Sequence, residues 1–223
     1  MNRLLHAIKR NGFIGSARKA GRLVQRKSGY LAWQFRNVPK YRNPTLDELI
    51  EIEQALIKLG VPVFDYQIDI DAFRKFLAEN WFPPSYYGGP EGGVWVEKHL
   101  EHWLTREILG LRNHTNEDIY VDIAAAASPW VHQLRQRMEI RAYAIDLSAS
   151  GSAYADLPYY RVEDATRSTF AAASVTSASL HCAYEMFMHD DDTLLIKEAA
   201  RILRPGGKLV ILPLYLHTHY CAY

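Results

Sequence analysis

Carboxylates recur where short apolar runs end. Tyr120-Val121 leads into Asp122-Ile123, Ala142-Tyr143-Ala144-Ile145 into Asp146, and Tyr159-Tyr160-Arg161-Val162 into Glu163-Asp164-Ala165. Each run is too short for a helix and rich in β-formers, as buried parallel strands are. In a doubly wound sheet, ligands sit outside the carboxyl ends of the strands where the strand order reverses, so the closing residues are the ones to read for chemistry. An ionised Asp146 offers two oxygens and no donor, which suits both hydroxyls of a ribose. One strand later, a carboxylate of Glu163-Asp164 could meet the amino edge of an adenine. Two acids at successive strand ends point to an adenosine. A fourth run, Val175 to Leu180, closes on His181, whose ordinary pKa suits proton removal near neutral pH.

The elements that would position these residues form a strand, helix, strand repeat from Ile119 to Tyr215. Its last unit is a helix with Leu195, Ala199 and Ile202 on one face, then the turn Leu203-Arg204-Pro205-Gly206-Gly207 and the buried strand Lys208-Leu209-Val210-Ile211. The expected fold is α/β: a doubly wound, mostly parallel, Rossmann-like sheet over residues 116–223, preceded by a helical N-terminal region. Residues 1–44 read as a basic arm and residues 45–115 as a helical lobe with an aromatic, glycine-rich lid.

Taken in order, Asp122-Ile123, Asp146, Asp164-Ala165, Val175 to His181 and the Arg204-Pro205-Gly206-Gly207 turn resemble the motifs of the class I S-adenosylmethionine-dependent methyltransferases. The resemblance covers roughly half of the chain. It implies S-adenosyl-L-methionine as cofactor, held by Asp122, Ala124, Ala126, Ser128, Asp146, Asp164, Ala165 and Ser177. The family's glycine-rich loop is replaced here by Ala124-Ala125-Ala126-Ala127-Ser128-Pro129. Alanine permits close approach of a ligand but resists positive φ. Methyl transfer from a sulfonium is an in-line displacement, so positioning is the main task, and a hydroxyl acceptor also needs a base. The resemblance gives His181 that role, with His217 and His219 as second choices. Tyr86, Tyr87, Tyr184 and Glu185 are the expected contacts to a small-molecule or saccharide acceptor.

Two other functions stay open. One is a methyltransferase-like domain that binds a partner without catalysis; the other is a nicotinamide-dependent enzyme, against which stands the missing G-x-G-x-x-G. The family's sheet normally continues beyond a fifth strand, where this sequence stops. A truncated chain, a partner covering the sheet edge, or a remodelled fold would each account for that.

Charge is unevenly distributed along a chain whose net charge is only +1. Met1 to Leu46 contains no acid, while Arg3, Lys9, Arg10, Arg18, Lys19, Arg22, Arg26, Lys27, Arg36, Lys40 and Arg42 are basic. Such an arm, interleaved with Leu4, Leu5, Ile8 and Trp33, could lie on an anionic membrane surface, meet nucleic-acid phosphates, or pack on an acidic body. The two cysteines, Cys182 and Cys221, lack metal-ligand spacing and fit a reducing cytoplasm.

Between arm and sheet, Thr45 and Glu48 form a capping-box pattern ahead of Leu49, Ile52, Leu56 and Leu59. A second amphipathic helix is expected over Asp71 to Asn80, and an extended segment over Val61 to Ile68. Trp81 to Gly93 reads as a lid or an interlobe connection. In the helix expected from Val94 to Leu109, Val96, Leu100, Trp103, Leu104 and Ile108 mark the inner face, leaving Glu97, His99 and His102 outside; Glu97 is retained as a site candidate. Asp190-Asp191-Asp192 is expected to cap the helix that follows, where acids favour the positive N-terminal end; no metal site is expected anywhere.

Overall fold

The computed structural model describes Lys40, residues 42–148 and residues 152–218. Most of the basic arm, His219 and Cys221 lie outside these residues. The chain divides into two compact units, Met1–Phe64 with Leu216–Tyr223, and Asp65–Tyr215. In the first, α1 spans Leu46–Lys58 and starts with the expected capping box: Thr45 Oγ1 accepts from Glu48 N while Glu48 accepts from Thr45 N. Hydrogen bonds from Arg42, then from the Thr45 backbone, hold the Glu48 carboxyl well below the usual range. No residue of α1 is buried. Val61 to Ile68 forms no strand.

The second unit holds everything that positions the candidate site. Five parallel strands, β1 (Ile119–Ile123), β2 (Arg141–Asp146), β3 (Tyr160–Val162), β4 (Val175–His181) and β5 (Leu203–Leu212), stand in the order β3-β2-β1-β4-β5. This is the doubly wound sheet expected from the sequence, and its strand order reverses between β1 and β4. Helix α4 (Trp130–Met138) connects β1 to β2, and α5 (Asp191–Ile202) connects β4 to β5. Helices α2 (Ile70–Ala78) and α3 (Trp95–Ile108) precede the sheet but belong to the same compact unit. The lobe drawn ahead of the sheet from the sequence is therefore divided between the units.

Two apolar layers sandwich the sheet. On one side Leu195, Ala199 and Ile202 of α5 are buried, and Leu195 and Ile202 join Val121, Ile123, Ala178 and Leu180 in one core. On the other, Phe73, Phe76, Trp81, Phe82, Trp103 and Trp130 surround Tyr120. Within the first half of β5 the chain bulges at the Pro-Gly-Gly turn, so that Leu203 pairs with Val175 but Lys208 already pairs with Ser177. Gly207 is needed there, since a Cβ would lie 2.8 Å from Arg204 O. Asp190 takes the N-cap position of α5 without a side-chain capping bond; the acids of its first turn, Asp191 and Asp192, favour the helix's positive end instead.

Helix α3 departs from expectation. It buries Lys98, His99, Glu101, His102, Thr105 and Arg106 together with Trp103, and leaves Val96 53% exposed. His99 and His102, expected outside, are inside. The reason is the sheet surface beneath: with a period of two, Tyr120 and Asp122 of β1 and Ser179 and His181 of β4 share a face, and that face is polar. Among the described residues no helix is long and apolar enough to cross a membrane.

Candidate active site at the strand ends

The β1–α4 loop takes the conformation that alanine resists. Ala124 has φ 55° and Ala126 φ 47°, both in the left-handed region where a Cβ costs about 1–2 kcal/mol. Hydrogen bonds hold the loop against that cost. Ala125 N donates to Ile145 O at 3.2 Å and Ser128 N to Ala125 O at 2.9 Å. Ala126 N donates to Asp146 Oδ2 at 3.0 Å, and Ser148 N to Asp146 Oδ1 at 2.9 Å. Tyr160 Oη donates to Ser128 O at 2.6 Å, and Ser128 Oγ accepts from Trp130 N at 3.2 Å. Asp146 thus ties the end of β2 to the loop, while each of its oxygens retains capacity for a further donor.

Asp122 is the focus of a second network. Its Oδ1 accepts from Ser179 Oγ at 3.0 Å and from His181 Nδ1 at 3.1 Å. Behind Ser179 lie Tyr120 Oη at 2.5 Å and, bonded to that hydroxyl, Trp130 Nε1 at 3.0 Å. Behind His181 lies Thr105 Oγ1, 2.8 Å from Nε2. The carboxylate only accepts, so Nδ1 carries the imidazole proton and Nε2 accepts from Thr105. Every proton in the chain then points toward Asp122 Oδ1. Asp122 is 1% exposed, and its Oδ2 is buried with no hydrogen-bond partner among the described residues. A buried unpaired carboxylate oxygen asks for a donor that the described residues do not supply.

Three side chains of the aromatic segment and α3 complete this end. Tyr86, in a short turn at Tyr86–Gly88, stacks on Phe82 with centroids 4.5 Å apart and reaches His102 Nε2 at 2.9 Å. The His102 ring lies 4.4 Å from that of His181. Burial pushes the His102 pKa well below its ordinary value, so the ring is neutral. Tyr87, at φ 46°, is 51% exposed. Burial raises the Tyr86 hydroxyl far above its ordinary range.

The structure thus brings Asp122, Ala124, Ala126, Ser128 and Asp146 together around one loop. Asp164 follows β3 and accepts from Thr166 N and Oγ1 at 3.1 and 2.7 Å, a local turn. Ala165 is buried in the α5-side core. Ser177 stands apart: it lies four residues before the end of β4, buried, with Oγ 2.8 Å from His114 Nε2. His181, expected to take a proton from an acceptor, has both ring nitrogens bonded to protein. Thr105, Tyr120 and Ser179 were missed; the alternation Ser177, Ser179, His181 against Ala178, Leu180 was the available signal. Tyr184 and Glu185 lie in the turn Tyr184–Met186, where Glu185 is exposed. Burial, then Asp192, raises the Tyr184 hydroxyl. His217 belongs to the other compact unit.

These residues fit the cofactor of the family resembled. Asp122 Oδ2 lacks a donor, Asp146 stands ready for paired hydroxyls, and the loop has the left-handed conformation of a close-approach cradle. Residues 121–211 match the family described as "Methyltransferase domain". The matched part carries the doubly wound parallel sheet and is similar to a methyltransferase domain. Solved structures are similar at lower levels. Geranyl diphosphate C-methyltransferase from Streptomyces coelicolor is 21% identical over 56% of this chain and 50% of its own, with a TM-score of 0.42. Phosphoethanolamine N-methyltransferase 2 from Haemonchus contortus is 20% identical over 66% of this chain and 36% of its own, at 0.42. The YcgJ protein from Bacillus subtilis is 15% identical over 49% of this chain and 50% of its own, at 0.40. The chain therefore spans about half the length of the Streptomyces and Bacillus proteins. No curated protein matches the sequence.

Proposed function

We propose that this chain is an S-adenosylmethionine-dependent methyltransferase acting on a small-molecule or saccharide acceptor. The observation that carries the reading is the pair of strand-end acids around a left-handed loop, one with a buried oxygen lacking a donor. Asp146 binds the ribose hydroxyls through the capacity left after its two backbone bonds. Asp122 Oδ2 takes an ammonium donor of the methionine part, and Ala124, Ala126 and Ser128 line the loop beside it. Asp164 and Ala165 lie on the adenine side. The cofactor supplies an electrophilic methyl group; the chain's own residues orient it and exclude water.

His181 serves as a positioning residue in this reading. Its Nδ1–H fixes Asp122 Oδ1, and Thr105, which is fully buried, fixes the ring in turn. The order hydroxyl, imidazole, carboxylate resembles a nucleophilic relay, but a hydroxyl with no exposure cannot meet an acceptor. Tyr86 and Tyr87 lie on the acceptor side, where the half-exposed Tyr87 ring offers an apolar face to a sugar or similar small molecule. Tyr184 and Glu185 are the further acceptor contacts.

Calorimetric titration with S-adenosylhomocysteine tests the reading. The full chain should bind it, and Asp146→Ala should weaken binding at least about tenfold, the loss expected for one charge-assisted bond. Binding of NADH in preference, or unchanged affinity in the variant, would overturn it. A fold intact by circular dichroism but without affinity for either nucleoside would favour a non-catalytic binding domain.

A further inference from the structure

A cluster next to Tyr87, whose ring centre lies 5.5 Å from Lys98 Nζ, stands outside the hydrogen-bond networks described above. Lys98 and Glu101 of α3 are 8% and 5% exposed, and both meet Cys182, the residue after β4. Lys98 Nζ lies 2.9 and 3.2 Å from the two Glu101 oxygens and 2.5 Å from Cys182 Sγ, closer than an ordinary hydrogen bond to sulfur. Cys182 Sγ also donates to Glu101 Oε1 at 3.2 Å. Glu97, Glu101 and Cys182 bring donor atoms within 4.8 Å of one another, an arrangement that could hold a cation. Lys98 is already there, bonded to two of the three, and its charge opposes a metal ion.

We propose that Lys98 and Cys182 are a covalent modification site, joined by peroxide through one bridging oxygen as Nζ–O–Sγ. Three observations carry this. The nitrogen and sulfur sit at a separation that a single light atom spans, although the residues are 84 positions apart in sequence. Cys182 is held in place: its φ is 44°, unusual for a residue with a side chain, and its N donates to Leu212 O at 2.9 Å. Glu101 contacts both reacting groups and can take a proton from each. Burial raises the Cys182 thiol, a shift that the bond from Lys98 opposes, so the resting pair is a thiol and an ammonium rather than a reactive thiolate. Cys182 is a half-buried residue, which leaves a route for a small oxidant.

The chemistry balances with hydrogen peroxide alone. One peroxide oxidises the thiol to a sulfenic acid and leaves as water. The Lys98 ammonium gives a proton to Glu101, and a second peroxide oxidises the free amine to a hydroxylamine, again releasing water. Condensation of S–OH with HO–N expels a third water and forms the S–O–N bridge. Sulfur and nitrogen are oxidised, and the peroxide oxygens are reduced. A thiol reductant reverses the change. The bridge would tie α3 to the residue beside His181.

The test uses the full chain with Cys221→Ser, so that one thiol remains. After hydrogen peroxide treatment and chymotryptic digestion, mass spectrometry should find the Lys98 and Cys182 peptides joined, with a gain of one oxygen and a loss of two hydrogens. Accurate mass separates that gain from a methyl group, and dithiothreitol should abolish it. Lys98→Arg should stop at a sulfenic acid that dimedone traps. Sulfenic or sulfinic acid at Cys182 of the Lys98-containing protein with no joined peptide would overturn the proposal, as would a thiol that resists oxidation. Because the readout is mass and not methyl transfer, it stands apart from the function proposed above.

Discussion

The two faces of the sheet use amphipathic helices in opposite ways. On the α5 side, Leu195, Ala199 and Ile202 bury against Val121, Ile123 and Leu180. The polar residue that joins them, Glu198, is satisfied by Ser168 N and Oγ and by Arg201. On the α3 side, Lys98, Glu101, His102 and Thr105 turn inward, onto Tyr120, Asp122, Ser179, His181 and Cys182. An apolar face stabilises by removing hydrocarbon from water, whereas a buried polar face only recovers its desolvation cost through complete hydrogen bonding. Apolar packing holds both faces, since aromatic side chains also surround Tyr120, and the α3 face in addition places oriented polar groups beside the strand ends.

That contrast can be tested from the largest expected effect downward. Ile202→Ala on the α5 side should destabilise the protein by about 2–5 kcal/mol in urea unfolding, the cost of a truncated core aliphatic. Thr105→Val, nearly isosteric, should cost about 1–3 kcal/mol by stranding His181 Nε2 without a donor. If Thr105→Val were neutral, the polar face would not be held by its hydrogen bonds and the contrast would fail. Its binding of S-adenosylhomocysteine should weaken as well, whereas Ile202→Ala should leave affinity unchanged wherever the protein remains folded.

Acid separates the faces further. His102 is kept neutral in the folded protein and titrates near 6.5 when unfolded, so below that value the unfolded chain binds more protons. Stability should fall as pH drops through 6.5, by up to about 1.4 kcal/mol per pH unit for each such histidine. His99 and His114, both lowered mainly by burial, add to the same slope. His102→Gln should flatten the melting temperature against pH below 6.5; an unchanged slope would remove His102 from the account. The smallest effect belongs to the loop. Ala124→Gly should relieve the φ of 55° and stabilise by about 0.5–1 kcal/mol net of glycine's greater chain entropy. Loss of stability in that variant would show that the Cβ packs usefully despite its backbone.

Strand runs, their terminal acids and the Pro-Gly-Gly turn were legible because each is a local pattern. Apolar β-formers end where a carboxylate can face solvent or ligand, and Gly207 fits where a Cβ would strike Arg204 O. The capping box of α1 was legible for the same reason, since its partners are three residues apart. Helix α3 was not. Its apolar and polar residues both recur at helical spacing, so periodicity defines two faces without saying which one is buried.

The amino-acid sequence by itself determined the parallel sheet, the positions of Asp122, Asp146 and Asp164, and an alanine loop in place of glycines. Tertiary structure decided that α3 turns its charges inward, that Asp122 keeps one oxygen without a donor, and that Lys98 meets a cysteine from the far end of β4. Those outcomes depend on residues dozens of positions apart. A helix face gains a partner only when the opposing strands present one, and that match is made in packing.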